Sequence, residues 1–407
     1  MRTNLFLYIC TIAVCSFSYI YTIGDNRFIP LFSYIPLRPD QTESYAAVSL
    51  IAASASSAFN TSEREVGIPE IEGNFDLGVL GRAVQQATGT NPLRSYFQDK
   101  SIPYFVDGRL QMQGFSCAFF HQIIPEFGIG ASWYAMRVNT HNIFNLGDTI
   151  FPAPASIQTE LDGARRSVFT QLGIRDNHTA QVGFGDIDLF ARAGNTWDHV
   201  LKFRTIQAGI AAGIIFPTGS RRELFSASSI PFGGNGHWGT HITIDALFEL
   251  RQDLKIGFNL DIIKRFSRTH LERLPVLTEP YLFGAIVGGV RINPGITTVF
   301  TPYMTFEHLR HGLGFGLYYT LTMHGKDKWT DVRMNKSVPV NLAAPQNNSR
   351  WGSDYITAQA FYDFGVYNES ADMHPIASFK WDIPLFIFVT KRVAKTHKLT
   401  FSIECDY

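Results

Sequence analysis

Long stretches of the chain alternate apolar and polar residues one by one, and polar, Gly- and Pro-containing connections separate them. A period of two over this length means β-strands with one apolar face. Twelve such strands can be placed, at about 45–58, 102–120, 127–139, 181–194, 206–216, 242–250, 255–262, 297–308, 313–324, 354–367, 377–387 and 399–407. In one of them Ile242, Ile244, Ala246, Phe248 and Leu250 alternate with Thr243, Asp245, Leu247 and Glu249. Most of these runs reach the nine to eleven residues, roughly, that a tilted strand needs to cross a bilayer, against about five or six for a strand in a soluble protein.

The connections alternate too. Those at 121–126, 195–202, 252–253 and 309–312 are short, and 368–375 is of medium length. Those at 59–101, 140–180, 217–239, 266–296 and 325–353 are long, with a shorter one at 390–397. Short turns on one side and long loops on the other are the layout of a bacterial outer-membrane barrel with both ends of the chain on the periplasmic side. A further strand-like run at 280–292 would break this parity, so Leu282 to Ile292 is expected in an outer loop that folds inward. The expected fold is all-β: one closed antiparallel transmembrane barrel of twelve strands over 45–407, with short helices in the long outer loops. One helix should start at Asn74 or Asp76 with Leu77, Leu80, Val84 and Ala87 on one face. Another should start at Ser156 with Ile157, Leu161, Ala164, Val168 and Leu172.

Composition sharpens this picture. Charged residues make up 17% of the 407, below the usual quarter or so, while aromatics reach 14%, led by 34 Phe and 16 Tyr. The formal net charge is zero, which excludes the basic excess of a nucleic-acid binder. Past the first 20 or so residues no run is long and apolar enough for a membrane helix. Met1–Asn4 is a short positive start, Leu5 to Cys15 an apolar core, and Ser16 and Ser18 are small. This is the layout of an export signal over 1–21, followed by a periplasmic segment over 22–44. Of the four cysteines only Cys117 and Cys405 lie beyond the signal, too few for a disulfide framework or a metal site. One strand is expected between them in a closed barrel, so both should be free thiols.

The last strand carries Leu399, Phe401, Ile403 and Tyr407 on one face and ends on an aromatic. It is similar to the terminal strand of bacterial outer-membrane proteins, which implies recognition by the barrel-assembly machinery. Gly183-Phe184-Gly185-Asp186-Ile187-Asp188-Leu189 opens one strand and Ile214-Ile215-Phe216-Pro217-Thr218-Gly219 closes the next. These two stretches resemble the Gly-x-Gly-Asp and Pro-Thr-Gly segments of the phenol-degradation (MetA-pathway) outer-membrane transporter family. That resemblance implies a barrel linked to uptake of small, often apolar compounds.

The sequence carries no nucleophile elbow, phosphate loop or zinc helix, and no cofactor or metal is expected. The spaced pairs His308/His311 and His237/His241 lack carboxylate or thiol partners at ligand spacing and read as solvated or interfacial. The polar faces of the strands supply a candidate lumen lining: Arg109, Asp186, Asp188, Arg192, Asp245, Glu249, Lys255, Asp261, Glu307, Asp363 and Lys380. The functional expectation is a porin-like channel for passive uptake of a small solute, with membrane lipid around it and no nucleic acid. A phospholipase-like barrel enzyme and a structural or adhesive barrel without a pore are the competing classes.

Overall fold

The computed structural model describes residues 26–29, 44–62, 64–147, 155–175, 177–199, 202–367 and 374–406. The export signal expected over 1–21 and the terminal Tyr407 lie outside the described residues. The chain builds twelve strands in order: β1 (Tyr45–Ala55), β2 (Pro103–Ile124), β3 (Phe127–Leu146), β4 (His178–Phe184 continued by Ile187–Asp198), β5 (Thr205–Phe216) and β6 (Gly239–Arg251). The second half is β7 (Leu254–Arg265), β8 (Ile296–Arg310), β9 (Leu313–His324), β10 (Trp351–Asp363), β11 (His374–Leu385) and β12 (His397–Asp406).

Each strand pairs antiparallel with its neighbours in sequence. β1 closes the ring by pairing with β2, Val48 opposite Cys117, and with β12, Ala46 opposite Cys405. Neither cysteine forms a disulfide, and the whole of β1 stands between them. Five connections at one end are short, at 125–126, 199–204, 252–253, 311–312 and 364–373. Six at the other end are long. The strand count and the parity agree with the sequence reading.

The outward faces form an apolar belt. Leu50, Phe115, Leu189, Ile210, Ile214, Ile242, Ile244, Phe315, Leu317, Phe379, Leu399, Phe401 and Ile403 are all exposed. So many large apolar side chains on one continuous surface require lipid rather than water against them. β2 and β3 run well past this belt. Above it the alternation of β2 inverts: outward Asp107, Arg109, Gln111 and Gln113 are exposed, while inward Val106, Leu110 and Met112 are buried.

The two predicted helices are present. Helix α1 (Leu77–Thr88) is capped by Asp76, whose carboxylate accepts from the Val79 amide, and it ends at Gly89 in the left-handed region at φ 84°. Helix α2 spans Ala155–Gln171. Their apolar faces meet Phe75, Phe97 and Phe283 on the inward tops of β2 and β3, around Tyr104, Val106, Phe144 and Leu146. The disputed run becomes Ile286–Asn293, which pairs with Arg268–Leu274 and Lys328–Asp331 in a separate three-stranded sheet outside the barrel wall. Leu282 and Phe283, just before it, are buried in the same cluster as the helices.

Of the segment expected to be periplasmic over 22–44, Asn26–Ile29 and Ser44 are described, and Ser44 is at the short-turn end, where its hydroxyl accepts from the Gln122 amide. Asn26–Ile29 lies at the long-loop end. The Asn26 amide donates to the Pro231 carbonyl at 2.8 Å, the Thr396 hydroxyl donates to the Phe28 carbonyl at 2.8 Å, and Arg27 pairs with Glu72. Ile29 packs inside the barrel with Ile51, Leu110, Met136 and Phe232.

Candidate permeation path and mouth cavity

The two family-like stretches bond directly to each other. Between the two halves of β4, Gly185 and Asp186 shift the strand's phase. A Cβ at Gly185 would fall inside the Tyr134 ring, so only glycine fits there. The Thr218 hydroxyl donates to the Gly185 carbonyl at 2.9 Å and accepts from the Ile187 amide at 3.1 Å. The Asp186 carboxylate accepts from the Gly219 amide at 2.9 Å and the Gly234 amide at 2.8 Å, and it pairs with Arg265 at 2.8 Å. With Asp186 only 1% exposed, this is a fully buried anchor tying β4, β7 and the loop after β5.

Below it the inward face descends through further charge pairs. Asp188 meets His241 at 3.0 Å. Arg192 grips Asp245 with two bonds, Nε to Oδ1 at 3.0 Å and Nη2 to Oδ2 at 2.5 Å. The Thr243 hydroxyl donates to Asp261 at 2.5 Å. Near the short turns Lys255 donates to Glu307 at 2.7 Å, and Glu249 faces Arg204 at 3.4 Å. On the opposite wall Lys398 pairs with Asp382 at 2.9 Å, and the buried Lys380 ammonium sits 5.6 Å from the Tyr318 ring centroid. The Asp363 carboxylate turns back to the Gly365 amide at 2.8 Å, by the short-turn end. Lys255 is 2% exposed and Thr243 and Thr322 0%, while the Arg192 and Asp245 side chains keep 23% and 18%, so side chains fill much of the lumen.

Ten of the eleven sequence-derived candidates therefore face inward or close the strand ends. Arg109 does not. It is exposed on the outward face of β2, above the apolar belt, where polar residues point out to water. His241 is a second correction: it is 5% exposed on β6 and bonded to Asp188, not solvated. Sequence spacing missed it because its partner stands 53 residues away on another strand. Arg265, Lys398 and Asp382's threonine partner, Thr357, were missed for the same reason.

At the long-loop end, above the charge pairs, a cavity of about 190 Å³ opens. Its wall includes Phe28, Leu110, Ile230, Ile292, Trp329 and Trp351, with Arg27, Arg222, Arg265, Glu72, Glu272 and Tyr281 among them. Burial pushes the pKa of the Tyr281 hydroxyl up, so it stays protonated and donates to Glu72 at 3.2 Å. Burial also holds the His237 imidazole below its ordinary pKa, hence neutral at pH 7. A Ser–His contact exists at the other end, Ser44 Oγ to His121 Nδ1 at 2.9 Å. Among the described residues no carboxylate or amide side chain orients that His121.

A closed ring of twelve lipid-facing strands around a packed polar lumen defines a transmembrane β-barrel. No family model and no curated protein matches the sequence. Among solved structures the chain is similar to an outer-membrane channel from Pseudomonas putida F1, at 10% identity over 92% of this chain and 98% of that one, with a TM-score of 0.48. It is also similar to the Pseudomonas putida toluene transporter TodX, at 10% identity over 97% of this chain and 96% of that one, TM-score 0.33. A Pseudomonas aeruginosa FadL homologue matches at 9% identity over 96% and 99%, TM-score 0.32. Likeness at this level says nothing of a solute.

Proposed function

We propose that this chain is an outer-membrane channel for passive entry of a small solute, held shut in the state described by its own lumen side chains and mouth loops. One observation carries the reading: among its apolar and aromatic side chains the barrel interior holds a series of polar and charged pairs along its axis. Buried pairs are commonly no more stabilising than a well-packed apolar filling, and often less by about 1–4 kcal/mol. A purely structural barrel has no need of Asp188–His241, Arg192–Asp245, Lys255–Glu307 and Asp382–Lys398 stacked along its axis. A conduit does, because those groups line a hydrated path once they swing apart. The cavity above them and the loops over it supply a vestibule.

The same reading makes the apolar belt a lipid contact and the last strand an assembly signal. It favours a channel over a barrel enzyme, since the Ser44–His121 contact sits at a turn where Ser44 Oγ already accepts from the Gln122 amide at 3.1 Å. Reconstitution into planar bilayers tests the proposal: stepwise ionic conductance supports it, and electrical silence from folded, inserted protein under every voltage and salt tried refutes it.

A further inference from the structure

The mouth cavity carries a specific imbalance. In its wall the Arg222 guanidinium carbon lies 4.6 Å from the Tyr281 ring centroid, and the Tyr281 ring stands 5.5 Å from that of Trp329. Arg222 Nε and Nη1 and Trp329 Nε1 are buried and have no hydrogen-bond partner among the described residues. Stacking on Tyr281 satisfies the face of the guanidinium and leaves its N–H edge unused. All three atoms are donors.

Each carboxylate of the wall, on Glu72, Glu272 and Asp327, already has partners on one of its oxygens. Glu72 takes Arg27 and the Tyr281 hydroxyl, while Glu272 lies 3.3 Å from His270 and accepts from Asn235 at 3.4 Å. An anionic guest would find these three donors without a partner. A carboxylate offers two oxygens with about four lone-pair sites, enough for the guanidinium edge and the indole N–H together.

Size narrows the guest further. A cavity of roughly 150 Å³ with apolar walls is known to take benzene. This one, at about 190 Å³, leaves room for one ring and one carboxylate, with Ile230, Ile292 and Trp351 against the ring. We propose that the mouth cavity is a binding site for a small monocarboxylate bearing a single apolar ring, with the carboxylate on Arg222 and Trp329. The proposal rests on the channel reading only in making this guest the solute, and the site stands or falls by binding alone.

The test uses the full chain, folded in detergent, with calorimetric titration of benzoate and of its neutral counterpart benzyl alcohol. Benzoate should bind at least about 10-fold more tightly, the scale of a charge-assisted bond made in a dry site. Arg222→Gln should erase that preference, and Arg222→Lys should restore part of it. Equal or tighter binding of benzyl alcohol by the unsubstituted protein overturns the proposal, and so does an absence of benzoate binding. Neither result needs a variant that folds. A benzoate preference that survives in folded Arg222→Gln overturns it as well. Protein that binds benzoate yet stays silent in bilayers would sink the channel reading and keep the site; protein that conducts but ignores benzoate would do the reverse.

Discussion

Removing the Asp186 carboxylate should cost this barrel more stability than almost any other single change in its lumen. Asp186→Ala strips Arg265 of its anion while that guanidinium stays 3% exposed, and it leaves the Gly219 and Gly234 amides without their acceptor. Breaking a buried pair from one side costs about 3–5 kcal/mol, because the surviving charge remains out of water. The Gly219 and Gly234 amides bond different oxygens of Asp186, so Asp186→Asn keeps an acceptor for one of them, loses the other along with the charge, and should fall between wild type and alanine. Adding Arg265→Met to Asp186→Ala removes the stranded charge and should recover a large part of the loss. Urea unfolding in phospholipid vesicles, followed by tryptophan fluorescence, measures all four proteins. A loss below about 1 kcal/mol for Asp186→Ala, or a double variant no more stable than the single one, would refute the reasoning.

Three further outcomes follow from particular contacts. Gly185→Ala should abolish the heat-modifiable folded band, because its Cβ has nowhere to go but the Tyr134 ring; a normal folded yield would contradict the account of that strand break. Purified monomer should show no reduction-sensitive shift from Cys117 and Cys405, since β1 stands between them; a shift lost on Cys405→Ser would mean the closing strands are assigned wrongly. Deleting Tyr407 should lower the amount of assembled barrel in the outer membrane far more than Lys380→Met does, and equal amounts would remove the terminal strand's role as an assembly signal.

Much of the architecture was legible because β-structure in lipid writes itself as a period of two, and loop parity fixes how many strands cross. The cap at Asp76 and the 3.6-residue spacing of Leu77, Leu80 and Val84 did the same for a helix. What stayed hidden was set by register. Asp188 and His241, or Lys255 and Glu307, become neighbours only when strands align, and nothing local marks them. Arg109 was misplaced because the inward-polar rule holds only within the lipid belt. Above it β2 buries Leu110 and Met112 beneath loops and turns Arg109 to water. Asn26–Ile29 carries no periodicity at all, and its place at the mouth comes from bonds to Pro231, Thr396 and Asn348.

The central claim is that the charge pairs close a conduit, and single-channel recording across a planar bilayer tests it most directly. Lys255 and Glu307 form the layer nearest the short turns, and Arg192 and Asp245 the layer at mid-height. Replacing all four with serine removes both charges of each pair, so no lone ion is left buried, and shortens the side chains that fill the path. Wild-type protein should give small or intermittent steps, and the fourfold variant larger and more persistent ones that scale with salt. Equal silence from both proteins, each folded and inserted, would contradict the claim and make the lumen a structural core.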